Sequence, residues 1–384
     1  MNPKDILKYF EERNDAIVEL IREIVDIESP SHDVERNKTV VLWIENEARK
    51  TGLDLEIERF PAEGFGEHVI IRAFTGDAKP AMLLGHTDTV HPVGTNLQNP
   101  TRIEDDKFYG CGIFDMKANI VLMLEALRYF HVTETRPARP ITILLSCDEE
   151  VGSHTGREIV EREAALAEAC FVFEPSANGS VKTGRKGTGM YIVHAQGVPA
   201  HAGLEPEKGA NAILEISRQI ERLQSLNDVS SGMTVNVCTA SGGTTTNVIP
   251  EHAVCSVDVR FSTMDEAARI DEEIKNLKPF DERVSVRIEG GINRPPMERT
   301  DAVVALFEKA RDIAASFDYE LSETQVGGAS DGNFVGALGV PVLDGLGIAG
   351  DGAHTLNEHI LVSDIAKRAA LVSQLLLLTN NESG

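Results

Sequence analysis

The sequence predicts an α/β fold with a largely parallel, helix-covered sheet, and two observations carry that reading. First, apolar runs such as Ala81-Met82-Leu83-Leu84 and Ile141-Thr142-Ile143-Leu144-Leu145 read as buried strands, and they alternate with segments of helical periodicity. Second, these runs stop abruptly in polar chemistry: Gly85-His86-Thr87-Asp88 after one, Cys147-Asp148-Glu149-Glu150 after the other. In an open α/β sheet, ligands sit at the carboxyl ends of the strands. Several strand ends in His, Asp and Glu describe a metal centre, and so an enzyme.

The elements follow in order. Ile17, Leu20, Ile21 and Ile24 mark a helical stripe that ends near Ser29-Pro30, and a second helix runs from about Val34 to Lys50 and stops at Gly52. Strands are expected over Leu53–Phe60, His68–Phe74 and Ala81–Gly85. A helix follows Asp115, with Ile120, Val121, Leu124 and Leu127 on one side. The strand Ile141–Ser146, a helix near Gly156–Leu166 and the strand Cys170–Phe173 complete this alternation.

The pattern changes after about Gly187. Strand Met190–Ala195, helix Ala210–Leu223, strands Met233–Ala240 and Ala253–Phe261, helix Asp265–Leu277 and strand Arg283–Ile288 form a β-α-β-β-α-β order, the split βαβ or ferredoxin-like unit. Glu289-Gly290-Gly291 through Pro295-Pro296 reads as the return linker. Val303, Leu306, Phe307 and Ala310 then mark a helix, Val340–Leu343 a short strand, and Ile365, Ala369, Val372 and Leu376 the last helix. The expected organisation is a discontinuous catalytic domain, residues 1–187 and 294–384, with a second domain, 188–293, inserted into it.

A length of 384 residues suits two domains. The net charge of −24 disfavours nucleic acid and anionic membranes as partners. No apolar stretch reaches the ~18 residues of a membrane span, and the start lacks the apolar core of a secretory signal. The five cysteines, Cys111, Cys147, Cys170, Cys238 and Cys255, are scattered, which argues against a disulfide framework or a thiolate zinc site. A cytoplasmic location is expected.

The candidate site residues have both catalytic and ordinary readings. His86 could ligate a metal while Asp88 orients its ring, or the two could form an ordinary loop pair. Asp115 lies between a Gly-punctuated turn and a helix, where it could bridge metals or cap the helix. In Asp148-Glu149-Glu150, a metal could neutralise one carboxylate while its neighbour remains free as a general base; a solvated acidic loop is the bland reading. Glu174 ends another strand, and His354 lies in a Gly-rich loop. His91 receives no role.

Together these segments resemble the dinuclear zinc aminoacylase/carboxypeptidase family. The likeness rests on Gly85-His86-Thr87-Asp88-Thr89-Val90, on the Gly-x-Gly-x-x-Asp-x-Lys pattern from Gly110 to Lys117, and on Asp148-Glu149-Glu150-Val151-Gly152-Ser153. It runs in order from about Ile17 to the last helix. Phe173-Glu174-Pro175-Ser176, Pro199-Ala200-His201-Ala202-Gly203, Gly209-Ala210-Asn211-Ala212, Thr246-Asn247-Val248-Ile249-Pro250, Asp258-Val259-Arg260 and Gly327-Gly328-Ala329-Ser330-Asp331-Gly332 are most similar to the bacterial glutamate carboxypeptidase branch. His91 departs from the usual continuation of the first motif.

The resemblance implies a zinc-exopeptidase-like catalytic domain and an inserted lid that pairs into a homodimer. It implies two zinc ions, with cobalt or manganese as possible substitutes. His86, Glu174 and a bridging Asp115 would hold one ion, and Glu150, His354 and the same Asp115 the other. Glu149 would be the general base, Asp88 would support His86, and the Asp115–Met116 peptide would be cis. His201 would reach the partner's site and stabilise the oxyanion. Asn247, Arg260, Gly328 and Ser330 would contact the substrate; Arg260 lies opposite the apolar face of strand Ala253–Phe261, where it suits a carboxylate. The implied activity is a metal-dependent amidohydrolase that releases a C-terminal amino acid, glutamate favoured, from a small peptide or N-acyl amino acid. Its rivals are an N-acyl-amino-acid deacylase of the acetylornithine or succinyl-diaminopimelate type, and a non-catalytic binding protein that retains the fold.

Overall fold

A computed structural model describes residues 3–378; the extreme ends of the predicted catalytic domain, 1–2 and 379–384, lie outside the described residues. The chain divides into two compact units. One comprises the described residues up to Gly184, Arg299–Gln325, and those from Ser330 onward; the other comprises Arg185–Glu298 and Val326–Ala329.

The first unit is built on a six-stranded sheet in the order Glu56–Ala62, Gly66–Ala73, Ile141–Ser146, Ala81–His86, Ala169–Val172, Val342–Leu343. The last four strands are mutually parallel neighbours, whereas the first two join as an antiparallel hairpin at the edge. Ala81–His86 and Ile141–Ser146 are buried at every position, as expected for central strands covered on both faces. Ala118–Val132 is apolar around most of its circumference because it packs against both Pro3–Asp26 and Val362–Leu378.

Register between the central strands sets up the site. His86 pairs with Ser146, and Leu84 with Val172. The segments leaving these strands, Thr87-Asp88, Cys147–Glu150 and Phe173-Glu174, therefore emerge side by side at one end of the sheet. Gly85 leaves room in this row for Met116: a Cβ there would lie 2.3 Å from the Met116 methyl and 2.7 Å from its sulfur, so the methionine would have to move.

A small antiparallel sheet lies outside the predicted elements. Its strands, Gly350–Asp351, His359–Leu361, Lys107–Tyr109 and Arg102–Glu104, have two or three residues each, too few for a periodic signal. The pairing of His359 with Tyr109 lays the His354–Glu358 loop against the Gly110–Asp115 turn.

The second unit has the predicted β-α-β-β-α-β order: Gly187–Gln196, Ala212–Gln224, Thr234–Gly242, His252–Phe261, Met264–Lys275, Ser285–Arg294. Its four strands are antiparallel throughout, in the order Thr234–Gly242, His252–Phe261, Gly187–Gln196, Ser285–Arg294. One sheet face and both helices enclose a separate core that includes Tyr191, Val193, Ile216, Val257, Phe261 and Ile270. Asn211 caps the first helix by accepting the Leu214 N–H, and Thr263 and Glu266 form a capping box on the second.

The expected return linker is corrected here. Residues 289–294 continue the edge strand and pair with Gly187–Gln196 as far as Thr188. Gly290 and Gly291 serve the strand instead of ending it: at Gly290, φ is +93° and a Cβ would lie 2.1 Å from the Met190 carbonyl oxygen.

Candidate metal centre

His86, Asp115, Glu149, Glu150, Glu174 and His354 come together in the first unit. Asp115 lies at the centre and presents one carboxylate oxygen to each imidazole. Its Oδ1 is 3.1 Å from His86 Nε2, and its Oδ2 is 3.3 Å from His354 Nε2. Glu174 Oε1 lies 3.5 Å from His86 Nε2, and Glu150 Oε2 lies 3.2 Å from His354 Nε2. His86 is buried, whereas the side chain of His354 is 51% exposed, so the cluster opens to solvent on the His354 side.

The local backbone aims these groups. The Asp115–Met116 peptide is cis, as the resemblance implies. Gly112, at φ +70°, begins the turn, and its amide hydrogen faces inward. The helix then starts at Ala118, so Asp115 is not the N-cap of the alternative reading.

Charge balance in the cluster calls for a cation. Burial opposes charging of His86, but hydrogen bonds to Asp115 and Asp88 outweigh it and hold its pKa well above the usual histidine value. Hydrogen bonds to Asp115 and Glu150 raise His354 to about 10. Burial works to raise Asp115, yet hydrogen bonds from His354 and His86 prevail and hold it below the ordinary carboxylate range. Burial pushes Glu150 up against the pull of His354. Glu150 Oε1 is buried and accepts no hydrogen bond. An orphaned carboxylate oxygen among clustered acids fits a divalent cation, and imidazole nitrogen with carboxylate oxygen suits zinc, cobalt or manganese. Among the described residues, two ligand groups are compact enough to hold an ion: His86 with Glu149 and Glu174, and His86 with Asp115 and Glu150.

Asp88 has a broader set of contacts than the sequence suggests. His86 Nδ1 meets its backbone carbonyl at 3.0 Å, while its carboxylate accepts the N–H groups of Glu149 at 3.2 Å and Glu150 at 3.1 Å. Ser31, absent from the sequence reading, donates its hydroxyl to the same carboxylate at 2.7 Å. Asp148, the first acid of the run, is fully buried and accepts the Thr155 and Gly156 N–H groups where the next helix begins. Asp331 accepts hydroxyl bonds from Ser146 and Ser153, at either end of the same loop.

The substrate residues named from sequence are scattered. Ser330 is fully buried, donates to Asp344 at 2.9 Å and accepts the Gly332 N–H. Its hydroxyl is thus engaged in internal hydrogen bonds. Gly328 and the remaining candidates lie in the second unit. The Gly328 carbonyl accepts from Arg185 at 3.2 Å. His201 and Asn247 are neighbours, since the Ala202 N–H donates to the Asn247 carbonyl. His201 Nδ1 accepts the N–H groups of Gly203 and Leu204, each at 3.1 Å, which leaves the proton on Nε2 and makes that nitrogen a donor. Arg260 does lie opposite the apolar face of its strand, and it forms a two-pronged pair with Asp258 at 2.9 and 2.8 Å.

Known proteins are similar to this chain in sequence and in fold. Carboxypeptidase G2 of Pseudomonas sp. (strain RS-16) is 28% identical over 369 residues, covering 94% of this chain and 89% of that protein. A succinyl-diaminopimelate desuccinylase of Paracidovorax citrulli is 30% identical over 322 residues, covering 77% and 80%. Among solved structures, aminopeptidase PepT from Bacillus cereus superposes with a TM-score of 0.78 at 23% identity, covering 94% of this chain and 98% of that one. An M20 family metallo-carboxypeptidase from Sulfolobus solfataricus gives 0.71 at 16%, covering 94% and 98%. At such identities the superpositions speak for the fold. The family model, matched from residue 82 to 378, takes in every member of the carboxylate–imidazole cluster, and on that match the chain belongs to peptidase family M20/M25/M40.

Proposed function

We propose that this chain is a zinc-dependent amidohydrolase acting as a carboxypeptidase, releasing a C-terminal amino acid with glutamate favoured. The family comprises dinuclear metal-dependent hydrolases. The observation that carries the reading is the placement of the two Asp115 oxygens, each against a different imidazole. In this proposal His86, Glu174 and Asp115 hold one ion, and Glu150, His354 and Asp115 the other.

Bound divalent ions supply Lewis-acid polarisation of the scissile carbonyl and acidify the attacking water. Glu149 takes the proton from that water and later delivers it to the departing amine nitrogen. Asp88, bonded to the Glu149 N–H, keeps the base loop beside the imidazole it also supports. His201 donates from Nε2 to the developing oxyanion of a partner subunit's site, which makes the working enzyme a homodimer through the inserted unit. Asn247 and Arg260 receive the substrate α-carboxylate. Among the described residues no helix is long and apolar enough to cross a membrane. The five unpaired cysteines support a cytoplasmic setting.

The second reading, an N-acyl-amino-acid deacylase, is favoured by the 30% identity to a desuccinylase. Both cleave an amide, so the cluster does not separate them. A panel of folyl- and peptidyl-glutamates against N-acetyl and N-succinyl amino acids does. The carboxypeptidase reading expects the highest kcat/KM on the glutamates, and a preference for N-succinyl or N-acetyl substrates would overturn it. Arg260→Ala in the same panel should raise KM for free α-carboxylates by about tenfold or more, as expected for a contact of ~1.5–3 kcal/mol. Amidated substrates should be little affected.

A further inference from the structure

Glu358 is a fully buried carboxylate whose side chain reaches the cluster through the main chain of Asp115. Its Oε1 accepts the N–H groups of Phe114 at 2.9 Å and Asp115 at 3.0 Å, and its Oε2 accepts the Gly112 N–H at 3.0 Å. Its own carbonyl accepts the Gly110 N–H at 3.2 Å. One residue thus engages four main-chain donors along the turn that ends in Asp115. His91 Nε2 meets Glu358 Oε2 at 2.7 Å, a contact between two buried side chains.

We infer that Glu358 is a positioning residue for the metal centre, locking the Asp115 turn to the His354 loop, with His91 holding the Glu358 carboxylate in place. The inference rests on the metal-bridging role proposed for Asp115. Glu358 follows His354 by four residues in the same loop, and the adjoining strand pairs His359 with Tyr109. The clamp therefore fixes the register between the segments carrying Asp115 and His354, whose facing atoms are 3.3 Å apart. A carboxylate suits this task because it has acceptor sites on both oxygens and no hydrogen to oppose three converging N–H groups. A buried carboxylate with fewer partners would be costly, so the arrangement specifies this loop geometry and penalises others. The His91 ring is committed to Glu358.

The test is a zinc titration of metal-free protein by calorimetry, with folding checked by circular dichroism. Wild type binding two zinc equivalents per chain supports the underlying metal-centre reading; fewer than two overturns that reading, and the inference with it. Glu358→Asp keeps the charge but withdraws the carboxylate by one methylene, so it separates position from electrostatics. With two equivalents in wild type, the inference expects the weaker Kd to rise at least tenfold in folded Glu358→Asp. His91→Leu, which leaves the Glu358 charge and the main chain intact, should move the same Kd in the same direction by threefold or more, and His91→Gln, which retains a donor, should restore it. Glu358→Asp with both Kd values within threefold of wild type overturns the inference, even if Glu358→Gln weakens binding, because the effect would then be one of charge. Should Glu358→Asp fail to fold, the His91→Leu and His91→Gln pair decides: a shift that Gln restores supports the clamp, and no shift overturns it.

Discussion

Asp88 Oδ1 accepts the main-chain N–H of Glu149 at 3.2 Å, while the Asp88 carbonyl faces His86 Nδ1 at 3.0 Å. A single residue therefore links an imidazole of the cluster to the loop that carries the proposed base. Asp88→Asn would turn an amide NH2 toward one of the two N–H groups the carboxylate now accepts. The expected outcome is a ~10–100-fold loss in metal affinity or kcat with an unchanged fold, the usual size for removing an outer-shell partner. Metal titration and steady-state kinetics on the same preparation measure it; values within twofold of wild type would assign Asp88 to loop structure alone.

Glu149→Gln separates base from ligand. Glu149 is close enough to His86 and Glu174 to belong to a ligand group by geometry. As the general base, its conversion to the amide should lower kcat by ~10²–10⁴ and leave two metal equivalents bound. A lost equivalent would make Glu149 a ligand, and near-normal turnover in loaded protein would remove it from the chemistry.

The raised imidazoles predict how metal affinity depends on pH. Without metal, hydrogen bonds to Asp115 and Glu150 push His354 up to about 10, and hydrogen bonds to Asp115 and Asp88 hold His86 well above its ordinary value against the effect of burial, which favours the charged form of both rings near neutral pH. Metal binding requires neutral rings and must release those protons. Affinity should therefore keep rising with pH from 6.5 toward 10, and calorimetry in buffers of different ionisation enthalpy should detect net proton release at pH 7.5. Affinity that is flat above pH 7, with no proton release, would show that the rings are already neutral.

The proposed contribution of His201 across a dimer has a mixing test. Glu149→Gln and His201→Ala chains should each be nearly inactive. After subunit exchange, one site of the heterodimer regains both an intact Glu149 and a neighbour's His201, so activity should return to a fraction of wild type. Demonstrated heterodimers without recovery would leave His201 acting within its own chain or not at all.

The central sheet and the inserted β-α-β-β-α-β order were legible because long apolar runs and helical stripes report burial directly. The cluster was legible in part because its members leave strands whose apolar runs are plain, as at His86, Glu149 and Glu174. Three features were not. The small sheet that brings His359 to Tyr109 is too short to leave a pattern. Glu358 is separated from the Gly110–Asp115 turn by more than 240 residues, and nothing in its local sequence marks a buried carboxylate. Ser330 sits in a Gly-rich motif with nothing in its local sequence to mark a buried hydroxyl, yet that hydroxyl is committed to Asp344 in the interior. Sequence spacing points to residue types near a strand end; which of them face inward depends on pairing over long separations.

In the proposed centre, Asp115 bridges two metal ions, one beside His86 and Glu174 and the other beside Glu150 and His354. Anomalous diffraction from zinc-loaded crystals, recorded above and below the zinc edge, tests it most directly. Two peaks per chain are expected, one on each side of the Asp115 carboxylate, with the two Asp115 oxygens directed to different ions. A single peak, or two peaks of which neither touches Asp115, would contradict it.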